Sequence, residues 1–500
     1  IEWEFMAPKE CTCADSTYTP PMRRCLLLAL VALAAAAEKA AAASSCSGEA
    51  SVGGDGAYGE GCGCGSGALS REAGGGSERE GARPGGSADG SKAASSRSSE
   101  GAADGTEADA DATAAAEAEA DAAPTVEPAR LVWIPGGVFT MGHDNRSLSP
   151  STFDPDGEGP SRRVSVSGLW VGETEVSNRE WAAFAAATGY ESESERFGWS
   201  FVFEPQMTAQ AAAEATQKVE VAPWWIAVNG ATWRQPHGPG SDALTDELRH
   251  HPVVHVSWND AVAYCAWAYP AGGGGVGAGR PPSDAGRELA RARPRSPEIT
   301  RDRPRARRLP TEAEWELAAR GAPADAAPGC GAWEGLEACP ASLHPLQPCE
   351  QERSYPWGDE LEPAAGHRAN IWQGIFPTKN SAEDGWPFTS PVDSLEPQNE
   401  HGLYHVIGNV WEWTHDYWTT RHRRSKKVLK DPRGPGRPAG AQGAVPDRVK
   451  KGGSFLCHAS YCFRYRVTAR SQNTEDTGTS NLGIRCARSA PPPANEKEEL

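Results

Sequence analysis

Three short capped helices constrain the fold of this chain more than any other feature. The sequence between and after them shows no long hydrophobic periodicity. Capping boxes open two of them, Ser177 with Glu180 and Thr311 with Glu314, and the helical sequences EWAAFAAATGY and EWELAARG begin at these glutamates. Ser257 caps the third, SWNDAVAYCAWA. Because the rest is rich in tryptophan, glycine and proline, the sequence predicts an α+β protein with low regular secondary structure.

The segment LVWIPGGVFTMG opens the folded part near Leu131. Its two short alternating apolar runs flank Gly136 and Gly137, which predicts a β-hairpin. Irregular backbone beyond it must still satisfy its polar groups. We therefore expect the 18 tryptophans, together with bound ions, to support the fold.

Composition marks several N-terminal segments as lying outside the fold. Because the chain begins at Ile1 rather than Met, we expect residues 1–21 not to be native. Residues 22–45 are predicted to be a signal peptide, since two arginines precede a short apolar run. Residues 46–129 contain mainly Gly, Ala, Ser and acidic residues, which cannot bury enough apolar surface to offset the entropy of ordering, so disorder is expected.

The remainder is predicted to be one folded domain with a tail. The domain is expected at residues 130–489, with loop insertions at 269–307 and 322–354, and the tail at 490–500. A formal net charge of −18 argues against nucleic acid as a partner, because phosphate backbones are bound by excess Lys and Arg. No apolar run is long enough to span a bilayer, so no membrane span is expected.

Cys457 and Cys462 lie in KKGGSFLCHASYCFRYR with four residues between them. A bridge here would add well under the roughly 3 kcal/mol expected of a 15-residue loop, so a purely stabilising role is unattractive. Lys451, Arg464 and Arg466 favour thiolates, which suit either a redox-active dithiol or a two-coordinate soft metal such as Cu(I). Zinc would need four ligands, and no second pair with suitable spacing is present.

Four further cysteines carry predictions. Cys265 and Cys486 are far apart in sequence, so a bridge between them would be worth roughly 4 to 5 kcal/mol by loop-closure entropy, and we predict a structural disulfide. Cys62 and Cys64 are too close in sequence for an unstrained bridge to each other. They are expected either to exchange with partner thiols in trans or to have no role.

A series of motifs runs in one order from residue 132 to residue 488. They are IPGGVFTMG, ETEVSN, FVFE, APWW, HPVVHVSWNDAVAYC, RLPTEAEWE, PWGDE, ANIWQG, EDG, GLYHVIGNVWEWT, RVKKGGSFLCHASYC, ARSQNT and SNLGIRCA. In these motifs the chain resembles the formylglycine-generating enzymes of the sulfatase-modifying factor family. The resemblance implies a single domain with a C-type-lectin-like fold and an oxidoreductase activity.

The family's reaction is understood to convert the cysteine of a Cys-x-Pro-x-Arg segment in an unfolded sulfatase into Cα-formylglycine, using molecular oxygen, Cu(I) and an external thiol reductant. The resemblance implies that Cys457 and Cys462 hold the Cu(I), which the substrate thiol joins as a third sulfur ligand. Soft thiolates suit Cu(I), so this agrees with the residue chemistry. Ser454 and Trp411 are expected to flank the pocket for oxygen and substrate.

The predicted substrate-binding residues are Trp224, Trp225, Ser200 and Arg464. Relatives often read FGDS where this chain has FGWS, so Trp199 replaces an acidic residue. This substitution puts the recognition of the substrate arginine in question.

Calcium is also implied by the resemblance, at two sites. The first would use side-chain oxygens and backbone carbonyls of Asn370, Ile371, Asp384 and Trp386. The second would use the Glu412 carboxylate and the carbonyls of His405, Gly408 and Val410, with Glu175 as a further ligand.

The segment 497–500, KEEL, resembles the KDEL retrieval signal and agrees with the N-terminal leader. We therefore expect residence in the endoplasmic reticulum lumen, with partial secretion, and glycosylation at Asn145 of the NRS sequon. Expected partners are unfolded sulfatases and, through Cys62 and Cys64, lumenal thiol oxidoreductases. We expect a monomer or a weak homodimer.

Three other functions stay open on the sequence. A non-catalytic paralogue would bind sulfatases without oxidising them, and is expected to lack the paired cysteines. A calcium-dependent, lectin-like protein would bind carbohydrate. A thiol–disulfide oxidoreductase fits the cysteine pair in isolation, but its usual Cys-x-x-Cys at a helix start is absent.

Overall fold

The computed structural model describes residues 129–144, 154–268, 307–321, 353–363, 366–422, 425–438 and 445–489. Several predictions fall outside these residues. The segments concerned are residues 1–21, the signal peptide at 22–45, the extension at 46–129 except its last residue, most of the insertions at 269–307 and 322–354, and the tail at 490–500. The single residues concerned are Cys62, Cys64 and Asn145.

Five α-helices lie in the described residues: α1 (Asn178–Thr188), α2 (Glu193–Phe197), α3 (Ala209–Glu214), α4 (Trp258–Ala268) and α5 (Glu312–Arg320). The predicted capping boxes are confirmed, since the Ser177 and Thr311 side chains each accept from the backbone N–H three residues ahead, and the glutamate there binds back. At α4 the Ser257 hydroxyl accepts from Asp260 N at 3.1 Å. An unpredicted capping box opens α2.

The strands in the described residues are short. They are β1 (Leu131–Ile134), β2 (Gly137–Met141), β3 (Arg162–Val166), β4 (Leu169–Gly172), β5 (Trp199–Phe203), β6 (Lys218–Val219), β7 (Ala222–Asn229), β8 (Arg307–Arg308), β9 (Gly374–Ile375), β10 (Lys379–Asn380), β11 (Trp411–Tyr417), β12 (Leu429–Lys430), β13 (Asp447–Lys451), β14 (Ser471–Thr474), β15 (Leu482–Gly483) and β16 (Ala487–Ser489). The low regular content agrees with the prediction.

These strands form small sheets with mostly antiparallel pairing. The two four-stranded sheets have the orders β1-β4-β16-β8 and β14-β13-β11-β15, and the three-stranded sheets have the orders β12-β3-β2 and β5-β7-β6. β9 and β10 form a separate two-stranded ribbon. Two pairings are parallel, β11 with β15 and β12 with β3. The second four-stranded sheet matters most for function, because the paired cysteines follow β13.

The hairpin predicted around Gly136 is wrong, although both of its strands exist. β1 pairs with β4 and β2 pairs with β3, so the two strands belong to different sheets. The chain crosses from one sheet to the other at Gly136, where a Cβ atom would lie 2.5 Å from Gly168 N and 2.7 Å from Val166 O. The glycine therefore allows close passage of two backbones and does not form a hairpin turn.

Tryptophans fill the core, as the sequence predicted. Trp181 of α1 stacks on Tyr264 of α4, with ring centroids 5.6 Å apart, and Trp411 and Trp413 of β11 are fully buried. The predicted disulfide is confirmed, and it joins Cys265 of α4 to the residue preceding β16. None of the helices in the described ranges combines the length and the apolarity that crossing a bilayer requires.

Candidate active site

The paired cysteines Cys457 and Cys462 lie in the loop that follows β13. Both side chains are fully buried, and their Sγ atoms lie 2.7 Å apart. Neither cysteine is in a disulfide; the corresponding distance in the Cys265–Cys486 bridge is 1.99 Å. The loop thus holds two thiols in direct contact in the interior of the protein.

Local backbone geometry brings the two sulfurs together. At Gly452 the chain leaves β13 with φ of 92°, and a Cβ atom there would lie 2.6 Å from Val406 O. Cys457 N then donates to Ser454 O at 2.8 Å, and Cys462 N donates to His458 O at 2.7 Å. These two turns fold the loop back on itself and bring the two thiols close together.

This donor set fits Cu(I). Sulfur is a soft ligand, and Cu(I) accepts two-coordinate thiolate environments that zinc does not. Because both sulfurs are buried and adjacent, the loop offers two soft ligands shielded from bulk water. The same contact also suits reversible disulfide formation, so geometry alone keeps the redox dithiol as an alternative.

Ser454 and Trp411, both predicted to flank the reaction pocket, are connected through Asn481. The Asn481 side-chain N–H donates to Ser454 Oγ at 2.9 Å, and Trp411 N donates to Asn481 O at 2.9 Å. All three side chains are buried. Sequence reasoning assigned no role to Asn481, although it lies in the SNLG motif, because a hydrogen bond over 27 residues has no local signature.

Half-buried aromatic side chains lie next to the thiols. Tyr461, which precedes Cys462, stacks on Phe376 with ring centroids 4.1 Å apart, and Trp224 packs edge-on against both, at 5.0 Å from Tyr461 and 5.1 Å from Phe376. Trp225 is buried, with its ring 6.3 Å from Phe203. Of the predicted tryptophan pair, Trp224 is therefore the one that a peptide substrate can reach.

The other two predicted substrate residues are buried and hydrogen-bonded within the protein. Ser200 Oγ donates to Gly478 O at 2.9 Å and lies 2.9 Å from His255 Nδ1. Arg464 Nε donates to Asp156 Oδ2 at 2.5 Å. Trp199 is half-buried and packs edge-on against Phe201. In this structure Ser200 and Arg464 thus contribute to the interior behind the site.

Asp156 and Glu158, which sequence reasoning missed, bind the segment that follows Cys462. Glu158 forms a bidentate ion pair with Arg466 at 2.6 and 2.8 Å. Burial alone would raise the pKa of Glu158, but the Arg466 guanidinium, the Thr468 hydroxyl and the charge of Lys451 together outweigh burial and the pKa is lowered. For Asp156, burial outweighs the Arg464 guanidinium and the pKa is raised. No local pattern in DPDGE could indicate partners some 308 residues away.

The first predicted calcium site has oxygens that lack partners. Asn370 Oδ1 and Gln373 Oε1 are buried without a hydrogen-bond partner in the described part of the chain. Asp384 Oδ2 accepts from Ile371 N at 3.1 Å, and Trp386 N donates to Asp384 Oδ1 at 2.9 Å. Burial raises the pKa of Asp384 in spite of these hydrogen bonds. A hard cation would supply what these oxygens lack, so the residues fit calcium.

The second predicted calcium site contains two buried carboxylates, Glu175 and Glu412. Arg485 donates to Glu412 Oε1 from Nε and Nη2, at 2.8 and 2.6 Å. Glu175 has hydrogen bonds from Asn409 Nδ2 at 2.7 Å and Val410 N at 3.3 Å. Burial, and then the charge of Glu412, raise the pKa of Glu175 well above its ordinary value.

One guanidinium therefore faces two buried carboxylates. The surplus of negative charge is what a divalent cation would balance. The backbone supports this reading, because His405 and Gly408, whose carbonyls are predicted ligands, have φ of 47° and 90° and turn the loop sharply. The residues of the second site also fit calcium.

Comparison with known proteins identifies the family. Residues 116–490 match the sulfatase-modifying factor enzyme 1-like domain. The chain is 43% identical over 360 residues to the formylglycine-generating enzyme of Bos taurus, covering 72% of this chain and 75% of the relative. It is also 43% identical over 359 residues to the formylglycine-generating enzyme of Thermomonospora curvata, and the match covers 71% of this chain and 92% of that relative.

A third relative has a different description. The chain is 36% identical over 373 residues to the inactive Cα-formylglycine-generating enzyme 2 of Bos taurus, covering 74% of this chain and 91% of the relative. The family match spans the thiol loop, the aromatic neighbours and both candidate calcium sites. This chain belongs to the sulfatase-modifying factor family of formylglycine-generating enzymes.

Proposed function

We propose that this protein uses molecular oxygen to convert the cysteine of a Cys-x-Pro-x-Arg segment in newly made, unfolded sulfatases into Cα-formylglycine. Cys457 and Cys462 would hold Cu(I), and an external thiol would supply reducing equivalents. Relatives of this chain are named formylglycine-generating enzymes, which supports the activity.

The single observation that carries the proposal is the contact between two buried thiols that form no disulfide. Their Sγ atoms are 2.7 Å apart. A structural role would be served better by a bond, or by apolar side chains of similar volume. Bound Cu(I) would supply a soft centre for the substrate thiol and for the reduction of molecular oxygen.

The overall reaction balances with one oxygen molecule and two external thiols. The substrate Cβ loses two electrons, and its sulfur leaves as hydrogen sulfide when water hydrolyses the thioaldehyde. Two external thiols lose two further electrons and form one disulfide. Because the oxygen molecule accepts these four electrons and hydrolysis consumes one of the two waters formed, the net products are formylglycine, hydrogen sulfide, the disulfide and one water.

The chain's own residues would orient the reactants and exclude water. The Asn481 amide donates to Ser454 Oγ, which leaves the serine proton available for donation toward the pocket. The half-buried rings of Trp224, Phe376 and Tyr461 offer an apolar contact for the substrate segment beside the thiols. Calcium at the sites of Asp384 and Glu412 would fasten the loops that surround this pocket.

The proposed setting is the endoplasmic reticulum lumen, with partial secretion. The leader at residues 22–45 and the KEEL terminus support this location. Thiol oxidoreductases of that compartment would exchange with Cys62 and Cys64.

A non-catalytic sulfatase-binding role is the second candidate, favoured by the 36% identity to a relative named inactive. Such a protein is expected to lack the paired cysteines, whereas this chain has both. A calcium-dependent lectin-like role has no comparable support.

Mass spectrometry of a Cys-x-Pro-x-Arg peptide tests the proposal. The peptide is incubated with the purified protein, Cu(I), a thiol reductant and air, alongside Cys457→Ser, Cys462→Ser and an anaerobic sample. Formylglycine is expected only with both cysteines and oxygen. Peptide that binds to folded, copper-loaded protein but stays unmodified would overturn the catalytic proposal in favour of the binding paralogue.

A further inference from the structure

The segment that follows the thiols is fastened, at alternate residues, to a short stretch far away in sequence. The 3₁₀ turn Asp154–Asp156 and the next two residues accept these contacts. The partners lie more than 300 residues apart in sequence in each case. Arg464 donates to Asp156 Oδ2 at 2.5 Å. Arg466 and Thr468 donate to the Glu158 carboxylate at 2.6 to 3.0 Å, and Arg470 donates to the Asp156 carbonyl at 3.2 Å.

The first of these contacts continues directly to a thiol-bearing residue. Arg464 N donates to Cys462 O at 2.7 Å, so the residue whose side chain is fixed by Asp156 also fixes the backbone of Cys462. Cys457 has a different anchor, because Trp372 N donates to Cys457 O at 3.0 Å. The two sulfurs are therefore held from opposite ends of the loop, and Asp156 acts on one end only.

The Arg464–Asp156 ion pair is buried, so its loss would destabilise Arg464 in its present position. The Arg464 and Asp156 side chains are only 2% and 15% exposed. A guanidinium that loses its carboxylate in such a place must either stay buried without it or move toward water. Movement of Arg464 would displace the Cys462 carbonyl to which its own N–H is bonded. The Glu158–Arg466 pair reaches the loop one residue further on, because Arg466 Nε donates to Phe463 O at 3.0 Å and not to the Cys462 carbonyl.

We propose that Asp156 is a positioning residue for the Cu(I) site, which holds Cys462, through Arg464, beside Cys457 so that both sulfurs can serve one metal ion. The proposal rests on the proposed copper site for its metal, but the positioning of the sulfurs is independent of any metal. Outer-sphere groups that orient metal ligands typically change metal affinity about 10- to 100-fold when they are removed.

The first test measures Cu(I) affinity by competition with a chromogenic Cu(I) chelator. Asp156→Ala is expected to weaken Cu(I) binding about 10- to 100-fold, and Asp156→Asn, which keeps an acceptor for Arg464, by less. Glu158→Ala is the control matched to Asp156→Ala, because it removes a carboxylate of the same segment together with a bidentate ion pair. It is expected to leave Cu(I) affinity within about twofold, even though it lowers the thermal midpoint.

A double-mutant cycle shows whether Asp156 acts through Arg464. Asp156→Ala combined with Arg464→Gln is expected to bind Cu(I) no more weakly than Arg464→Gln alone, because the second substitution already breaks the connection. A role in overall stability would instead give effects that add. A loss of Cu(I) affinity in Glu158→Ala equal to that in Asp156→Ala would overturn the proposal. Additive losses of Cu(I) affinity in the double-mutant cycle would overturn it as well.

A metal-free readout separates this proposal from the copper function. The full-length protein is equilibrated with glutathione disulfide, which takes up the electrons and protons of the two thiols as two glutathione molecules while the Cys457–Cys462 bond forms. Asp156→Ala is expected to shift this equilibrium about tenfold, which is about 30 mV in the reduction potential of the pair, and Glu158→Ala hardly at all. If wild-type protein fails to bind Cu(I) but the shift is present, the copper function fails and the positioning role stands. No shift would refute the positioning role.

Discussion

Arg485 donates to Glu412 Oε1 through both Nε and Nη2, at 2.8 and 2.6 Å, with the two side chains 1% and 0% exposed. Trp315 Nε1 donates to the other Glu412 oxygen at 2.6 Å, and Glu175 lies close enough for its pKa to respond to Glu412. The guanidinium is thus the cation that directly pairs with the buried Glu412 carboxylate. Removing the Arg485 guanidinium is therefore expected to lower the free energy of unfolding.

Arg485→Gln is expected to lower the free energy of unfolding by about 3–5 kcal/mol, because it leaves Glu412 buried without its partner. Chemical denaturation measures the loss. The same substitution at Arg249 is the control, since the Arg249–Asp246 pair is 46% and 92% exposed and should contribute no more than about 1 kcal/mol. Similar losses for both variants would contradict the assignment.

Chelation of divalent cations is expected to lower the thermal midpoint, and calcium is expected to restore it. If the free calcium concentration in the assay is about 100 times the dissociation constant of a site, binding at that site would raise the free energy of unfolding by about 2.7 kcal/mol. Asp384→Asn should lose part of the calcium response, because it weakens one site and leaves the other. Differential scanning calorimetry with calcium, with magnesium and with chelator provides the measurement. A thermal midpoint that is the same with and without calcium would argue against both sites.

Asp416 is expected to make stability depend on pH. Burial, and then the charge of Glu312, raise the pKa of Asp416 from 3.8 to about 7. In the window from about pH 4 to about pH 7 the folded state therefore holds a proton that the unfolded state has released, so this residue's contribution to stability is lost as pH rises.

Asp416→Asn removes that titration while keeping an acceptor for Glu312 N, which donates to Asp416 Oδ2 at 2.9 Å. The stability of the variant relative to wild type should therefore increase from about pH 4 to about pH 7. The expected size is on the order of a few kcal/mol. Parallel urea titrations at several pH values check it, and a difference that stays flat would show that Asp416 is ionised throughout.

Asn481→Ala is expected to slow formylglycine production about 10- to 100-fold, because Ser454 loses the donor that orients its hydroxyl. Cu(I) affinity should change little, since Asn481 contacts neither sulfur in the hydrogen bonds described. Single-turnover assays with a Cys-x-Pro-x-Arg peptide give the rate, and chelator competition gives the affinity. A fall in affinity equal to the fall in rate would assign Asn481 to the metal site instead.

Breaking the disulfide between Cys265 and Cys486 is expected to cost about 2–5 kcal/mol, because the bridge closes a loop with a sequence separation of 221. The double substitution to alanine is compared with wild type in denaturant, with and without reductant. Reductant should destabilise the wild type and leave the variant unchanged. Equal responses to reductant would place the sensitivity at the other cysteines.

Local features of the fold could be predicted from the sequence, and distant pairings could not. The caps at Ser177 and Thr311 depend on residues three positions apart, so their pattern is visible in the chain. The proximity of Cys457 and Cys462 is partly local, because turns within the loop bring them close, but the contact of Arg464 with Asp156 that supports Cys462 is distant in sequence. By contrast, the apolar runs around Gly136 looked like a hairpin, and only their partners β4 and β3 decided that they belong to separate sheets.

The same limit applied to the site. Asp156 reaches Arg464 across 308 residues, and Asn481 reaches Ser454 across 27, so neither hydrogen bond leaves a sequence signature. Asn370 and Asp384 could be assigned from family resemblance, yet only the structure revealed that Asn370 Oδ1 is buried without a partner among the described residues.

The strand order β1-β4-β16-β8 has a consequence for biosynthesis. β4 pairs with β1 on one edge and with β16 on the other, and β4 ends at Gly172 whereas β16 begins at Ala487. A polypeptide leaves the ribosome with its N-terminus first, so β4 keeps one open edge until the long segment up to β16 has been translated. The bridge to Cys486 must wait equally long. Cys457 and Cys462 thus leave the ribosome as thiols before this sheet and the Cys265–Cys486 bridge can form.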